Sequence, residues 1–196
     1  MIFTAWFVEV VFGPQCRRIL RLGPIAVEPA NKEGDVEIRR SVLVPYSAEA
    51  MFDLIEQAEF YPSFLPWCTS AEILERSDDW VGARLEFTYL SLRFTMRTRN
   101  PKRRPEWLQV RLVEGPFKQF QGDWRLVPLA DQGCRVAFDL SYQFSEGVVD
   151  QVAKAALGRI FGSVVEAFVK RAEATLTPLV AAATGASAGS PNSPPG

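Results

Sequence analysis

From Val36 to Phe144 the chain alternates apolar and polar side chains in a succession of short runs. Val36, Ile38, Val42 and Val44 form the first, closed by Pro45. Leu85, Phe87 and Tyr89 form another, followed by Phe94, Met96 and Thr98, and then by Leu108, Val110 and Leu112. Phe120, Trp124 and Leu126 share one face of a further run, and Val136, Phe138, Leu140, Tyr142 and Phe144 share a face of the last. Period-two alternation with one polar face predicts an antiparallel sheet covered on one side. After the first strand, Ser47 is placed to cap a helix that turns Met51, Phe52, Leu54 and Ile55 toward a core, and a second short helix is expected over 58–64.

The period then changes. Val149, Val152, Ala156, Ile160, Val164 and Phe168 recur at helical spacing, and Leu157, Phe161, Val165 and Val169 widen the stripe. One C-terminal helix of about eight turns is predicted from Val148 to Leu176, stopped near Pro178. The predicted fold class is α+β. A curved antiparallel sheet of about six to seven strands wraps the long helix, with two short helices after the first strand. Residues 1–34 read differently, as an apolar start, then Arg17, Arg18 and Arg21, then Gly23-Pro24 and Pro29. They are either a surface-adhering extension or lie ahead of the true start. Residues 35–179 form the domain, and 180–196 make a Pro/Ser/Gly-rich tail with too little apolar surface to order itself.

Composition removes whole classes of chemistry. The 196 residues contain no histidine, so Ser-His-Asp or Cys-His catalysis, histidine-ligated metals and a histidine pH switch are excluded within the chain. Cys16, Cys68 and Cys134 are odd in number and far apart, which suits buried free thiols in a reducing cytoplasm rather than a disulfide framework or a zinc site. Lys and Arg number 22 against 23 Asp and Glu, yet the charge is unevenly placed. Between Arg84 and Arg104 lie seven basic residues and one acidic, Glu86. Arg93, Arg97 and Arg99 share the parity opposite Phe94 and Met96, and Lys102, Arg103 and Arg104 are expected in the following turn. Together they make a basic stripe and tip suited to anionic lipid headgroups or ribosomal RNA, or a merely solvated strand face.

Several strings carry a resemblance: VPYSAEAMFDLI at 44–55, FYPSFLPWC at 60–68, RFTMRTRN at 93–100, VEGPFKQFQGDWRLVPL at 113–129 and CRVAFDLSYQF at 134–144. In this order they resemble the coenzyme Q-binding and RatA family of the START-like, helix-grip superfamily, over about residues 36–178. The resemblance implies an apolar cavity between sheet and long helix. Two roles follow from it: binding of ubiquinone or a related prenylquinone in support of respiratory electron transport, or a toxin's association with the large ribosomal subunit that blocks its joining to the small one. A cyclase or dehydrase activity, as in aromatic polyketide enzymes of similar fold, is a third. Fold alone does not choose among them.

The residues rank these readings. An acid or base would have to point into the cavity, but Asp139, Glu86, Gln109 and Arg111 all fall on the outward parity, which speaks against an enzyme. Arg40 alone shares parity with Ile38 and Val42; it sits either at a cavity mouth or on a bulge that turns it outward, and the bulge is the expectation. Phe87, Tyr89, Phe94, Met96, Phe120, Trp124, Phe138 and Tyr142, with Phe161 and Val165 from the helix, are the candidate cavity lining. Tyr89 or Tyr142 is available to bond a quinone carbonyl. Tyr61, Phe64, Leu65 and Trp67 are a candidate gate or membrane contact, or else a hydrophobic plug. No cofactor is required, and ubiquinone or a similar lipid is a candidate bound ligand. The expected partners are that lipid, the periphery of the inner face of an anionic membrane and the large ribosomal subunit, with no DNA. The lipid role ranks first because it follows from the interior of the fold.

Overall fold

Seven strands pair antiparallel in the order β1-β7-β6-β5-β4-β3-β2 in the computed structural model, which describes residues 36–89, 92–145 and 151–179. The strands are β1 (Val36–Val44), β2 (Cys68–Arg76), β3 (Trp80–Tyr89), β4 (Leu92–Arg103), β5 (Trp107–Glu114), β6 (Phe117–Pro128) and β7 (Cys134–Phe144). Helix α1 (Ala48–Glu56) and a 3-10 turn (Ala58–Ser63) carry the chain from β1 at one edge to β2 at the other. The predicted extension 1–34, the tail 180–196, Cys16 and the start of the long helix at Val148 lie outside the described residues.

The alternation read from sequence is the burial pattern of the sheet. In β7 every residue from Cys134 to Phe144 at an even position is buried, and in β1 Ile38, Val42 and Val44 are buried. Ser47 caps α1 as predicted, its Oγ accepting from the Ala50 amide at 3.1 Å, and Met51, Phe52 and Ile55 are buried beneath it. Each such side chain contributes about 1.5–3 kcal/mol by leaving water. The turn from β6 to β7 depends on Gly133, whose φ is 127°. A Cβ there would fall 1.9 Å from the Val44 carbonyl oxygen, so glycine is what lets this turn close on the end of β1.

Three expectations change. First, β2 is a seventh strand that alternation did not reveal. It is an edge strand with register shifts at Cys68/Ser70 and Ile73/Glu75, so its buried positions do not fall at a constant parity. Second, the C-terminal helix is two helices, α2 (Gln151–Gly162) and α3 (Val164–Thr175). Gly162-Ser163 interrupts the hydrogen-bond ladder, and the Ser163 hydroxyl donates to the Ile160 carbonyl at 2.9 Å. Third, Arg40 is not turned out by a bulge. The β1–β7 register runs unbroken through Arg40 and Phe138, and the guanidinium reaches inward to the helix break. Its Nε donates to the Gly162 carbonyl at 3.1 Å and stands 3.8 Å from Glu166. A basic residue at an inward position thus satisfies a carbonyl that the interrupted helix leaves open.

Candidate functional site

The inward face of the sheet meets α2 and α3 through aromatic rings. Phe117, at the start of β6, lies 4.9 Å from Phe120, 5.9 Å from Tyr142, 4.9 Å from Phe144 and 6.4 Å from Phe161 between ring centroids. Phe94 stacks on Phe87 at 4.7 Å, and Phe87 stacks on Trp67 at 5.3 Å. A second group joins Trp124 to Phe138 at 4.2 Å and Trp124 to Phe168 at 5.2 Å, with Tyr61 and Phe64 also edge-on to Phe168. Most of the predicted cavity lining is therefore brought together, but in mutual contact. Met96 and Val165 are buried on the same inward face, whereas Tyr89 is half-buried near the end of β3 and makes no ring contact with the others among the described residues.

A phenol hydroxyl lies among these rings. Tyr142 is 1% exposed, and its hydroxyl is buried without a hydrogen-bond partner among the described residues. Burial raises its pKa from 10.0 to about 12, so the group is a neutral donor at physiological pH. Opposite it stands Gly158 of α2, where a Cβ would lie 3.9 Å from that hydroxyl. An unpaired buried hydroxyl costs about 1–3 kcal/mol, and a carbonyl oxygen in its place would relieve that cost. Phe117, Phe168 and Gly158 are absent from the sequence-derived site. Phe117 follows Gly115-Pro116 with no strand alternation before it, and Gly158 faces Tyr142 only through tertiary packing.

The candidate gate is largely internal. Leu65 and Trp67 are buried in the core, Tyr61 donates to the Ile55 carbonyl, and Phe64 packs on Phe168. Burial pushes the Tyr61 phenol well above its ordinary value. Leu65 and Trp67 thus pack into the core rather than onto the surface, at 1% and 8% exposure. The exposed part of the segment is Phe60, Pro62, Ser63 and Pro66.

The basic stripe is partly answered by carboxylates. Across four strands, Glu72, Arg84, Arg97 and Glu114 are successive cross-strand partners, with Arg84–Glu72 at 2.7 Å and Arg97–Glu114 at 3.3 Å. Arg104 grips Asp53 through two bonds of 2.7 and 2.8 Å, and Arg103 stands 3.6 Å from Glu106. Lys102 does not belong to the stripe. β4 continues through Arg103, so Lys102 keeps the inward parity of Met96, Thr98 and Asn100, and its side chain, 6% exposed, meets Glu56 at 2.6 Å. It is a second inward charge, beside Arg40, that the sequence parity missed because the strand outlasts the predicted turn. What remains for an external anion is Arg93 and Arg99, both exposed and without a carboxylate partner among the described residues, Arg99 lying 4.3 Å over the Trp80 ring.

The inward charges are held in ion pairs, and no cluster of Cys, Asp and Glu among the described residues is arranged to hold a metal. Cys68 and Cys134 are buried free thiols, their pKa values raised by burial from 9.0 to about 11 and about 12. No described helix is long and apolar enough to cross a membrane.

A seven-stranded antiparallel sheet closed over C-terminal helices is the START-like, helix-grip class of α+β fold. The chain belongs to the polyketide cyclase/dehydrase and lipid transport family, which its residues 44–169 match. It is 36% identical, over 70% of its length and 87% of the relative's, to the "Ribosome association toxin RatA" of Escherichia coli (strain K12). A protein of the same name from Pseudomonas aeruginosa is 35% identical over 69% of this chain and 94% of its own. Among solved structures, a START superfamily protein from Mycobacterium smegmatis superposes with a TM-score of 0.60 at 20% identity, covering 70% of this chain and 97% of its own. The Zhui aromatase/cyclase from Streptomyces sp. R1128 does so at 0.59 and 18%, covering 73% and 96%, a likeness of fold alone.

Proposed function

We propose that this protein acts by binding rather than catalysis, associating with the large ribosomal subunit through the outer face of β3 and β4. The observation that carries this reading is the 36% identity across 87% of a relative named for ribosome association. The residues rank the lipid role first when read alone. The order changes because the interior rings stand in contact, while Arg93 and Arg99 remain uncompensated outside. Alternate residues of one strand project Arg93, Arg97 and Arg99 to the same side, and the six-residue interval spans about 20 Å. A rigid row of cations of that length suits a phosphate backbone read by charge and shape rather than by sequence. Ribosome association places the protein in the cytoplasm. Co-sedimentation with isolated large subunits tests this. The wild type should pellet with them, with an apparent log–log salt slope of about −2 for two or three phosphate contacts. Arg93→Glu/Arg99→Glu, which breaks no ion pair, should stay in the supernatant. Equal pelleting of both proteins would refute the assignment of this face.

A second reading rests on Tyr142. Its unpaired hydroxyl inside an aromatic enclosure fits an apolar ligand with a carbonyl oxygen, and a prenylquinone has both parts. Phe117, Phe120 and Phe161 pack around the Tyr142 ring, so a ligand must displace them to reach the hydroxyl. After incubation with ubiquinone-containing vesicles, organic extraction and mass spectrometry should find quinone in the repurified wild type and less in Tyr142→Phe. A wild type without quinone would overturn this reading and leave the first intact.

A further inference from the structure

We propose that the cleft between α1, the 58–63 turn and α3 is a binding site for a small amphiphilic carboxylate, apart from both the aromatic interior and the outer face of the sheet. The cleft has a volume of about 360 Å³, at the lower end of the range of about 300–1,000 Å³ typical of small-molecule sites. Its apolar wall is Leu54, Phe60, Phe64 and Leu176, and its charged members are Arg171 and Asp53. Phe60 is 52% exposed at the rim of the cleft, so its ring is within reach of a ligand.

The two charges are in different states. Asp53 gives both oxygens to Arg104, at 2.7 and 2.8 Å, so its charge is answered from outside the cleft. Among the described residues Arg171 has no carboxylate partner, and its buried Nε has no acceptor. Its guanidinium carbon lies 5.6 Å from the Phe64 ring centroid, which braces the group beside the apolar wall. A single unanswered guanidinium at an apolar cleft matches a single negative charge on an apolar body. The planar fork of arginine accepts a carboxylate through two parallel bonds, whereas a phosphate dianion would lack a second cation here.

The test is a ¹H–¹⁵N titration of the full chain with sodium octanoate, with octanol as the uncharged control of the same length. Octanoate should move the backbone resonances of Leu54, Phe60, Phe64 and Leu176, and octanol should bind at least about tenfold more weakly, the loss of one charge-assisted pair. Arg171→Met should bring octanoate down to the octanol level, and Arg171→Lys should fall between. Thermal melting of each variant checks that it folds. If Arg171→Met melts without cooperativity, the octanoate–octanol comparison on the wild type decides alone. Equal binding of the two probes, undiminished octanoate binding by a folded Arg171→Met, or shifts confined to the Tyr142 cluster would overturn the proposal.

Discussion

Replacing Tyr142 with phenylalanine should stabilise the ligand-free protein, the reverse of the usual effect at a buried tyrosine. A buried tyrosine whose hydroxyl is paired typically loses about 0.5–1.5 kcal/mol on that change. Here the residue is 1% exposed and the hydroxyl has no partner among the described residues, so the folded state carries its desolvation without return. That penalty is about 1–3 kcal/mol, and the oxygen's lost dispersion contacts offset part of it. A net gain of about 1 kcal/mol corresponds to a rise in Tm of about 2–4 °C for a domain of this size. Urea unfolding followed by tryptophan fluorescence, on protein stripped of lipid, reads the difference directly. Loading with ubiquinone should reverse the order, because only the wild type offers the carbonyl a donor. A stripped variant less stable than wild type by about 1 kcal/mol would show that the hydroxyl is already paired, and the ligand argument built on it would fail.

Arg40→Met should destabilise by about 1–3 kcal/mol, since it removes the donor to Gly162 and strands the Glu166 carboxylate; adding Glu166→Gln should recover part of the loss in a double-mutant cycle. Lys102→Met should cost about 2–4 kcal/mol by leaving Glu56 without its closest cation, whereas Arg103→Gln next to it should stay within about 0.5 kcal/mol, and chemical denaturation of the pair separates a buried ion pair from a surface one. Alkaline pH should weaken the fold. The Cys68, Cys134 and Tyr142 pKa values stand above their ordinary 9.0, 9.0 and 10.0, so the folded state holds protons that the unfolded chain releases. Their contribution is complete below pH 9 and is lost as pH climbs through about 11 and 12. Each group makes stability fall by up to about 1.4 kcal/mol per pH unit within its window. Urea midpoints under reducing conditions that stay flat across that range would contradict this.

The strands with one clean buried face were legible in the sequence because a period of two survives wherever pairing is regular, as in β1 and β7. β2 was not, because its bulges shift the parity and its edge position leaves few buried contacts to set a pattern. The helical stripe from Leu157 to Val169 was legible, but the break at Gly162-Ser163 follows from a competing hydrogen bond that periodicity does not register. Parity placed Arg93 and Arg99 outward correctly and failed for Lys102, where the strand runs past its expected end. Arg40 was the informative anomaly. A charge at an inward position reads as an error to be bulged away until the open Gly162 carbonyl appears opposite it. Tyr142 could be named as a donor from its alternating position, yet only tertiary packing shows that nothing accepts from it.

The most direct measurement is subunit joining followed by light scattering, with large and small ribosomal subunits mixed in the presence of the protein. Wild type should suppress the rise that marks joining. Tyr142→Phe should suppress it equally, and Arg93→Glu/Arg99→Glu should let it proceed. Normal joining in the presence of wild-type protein, or full suppression by the charge-reversed variant, would contradict the assignment of ribosome association to this face of the sheet.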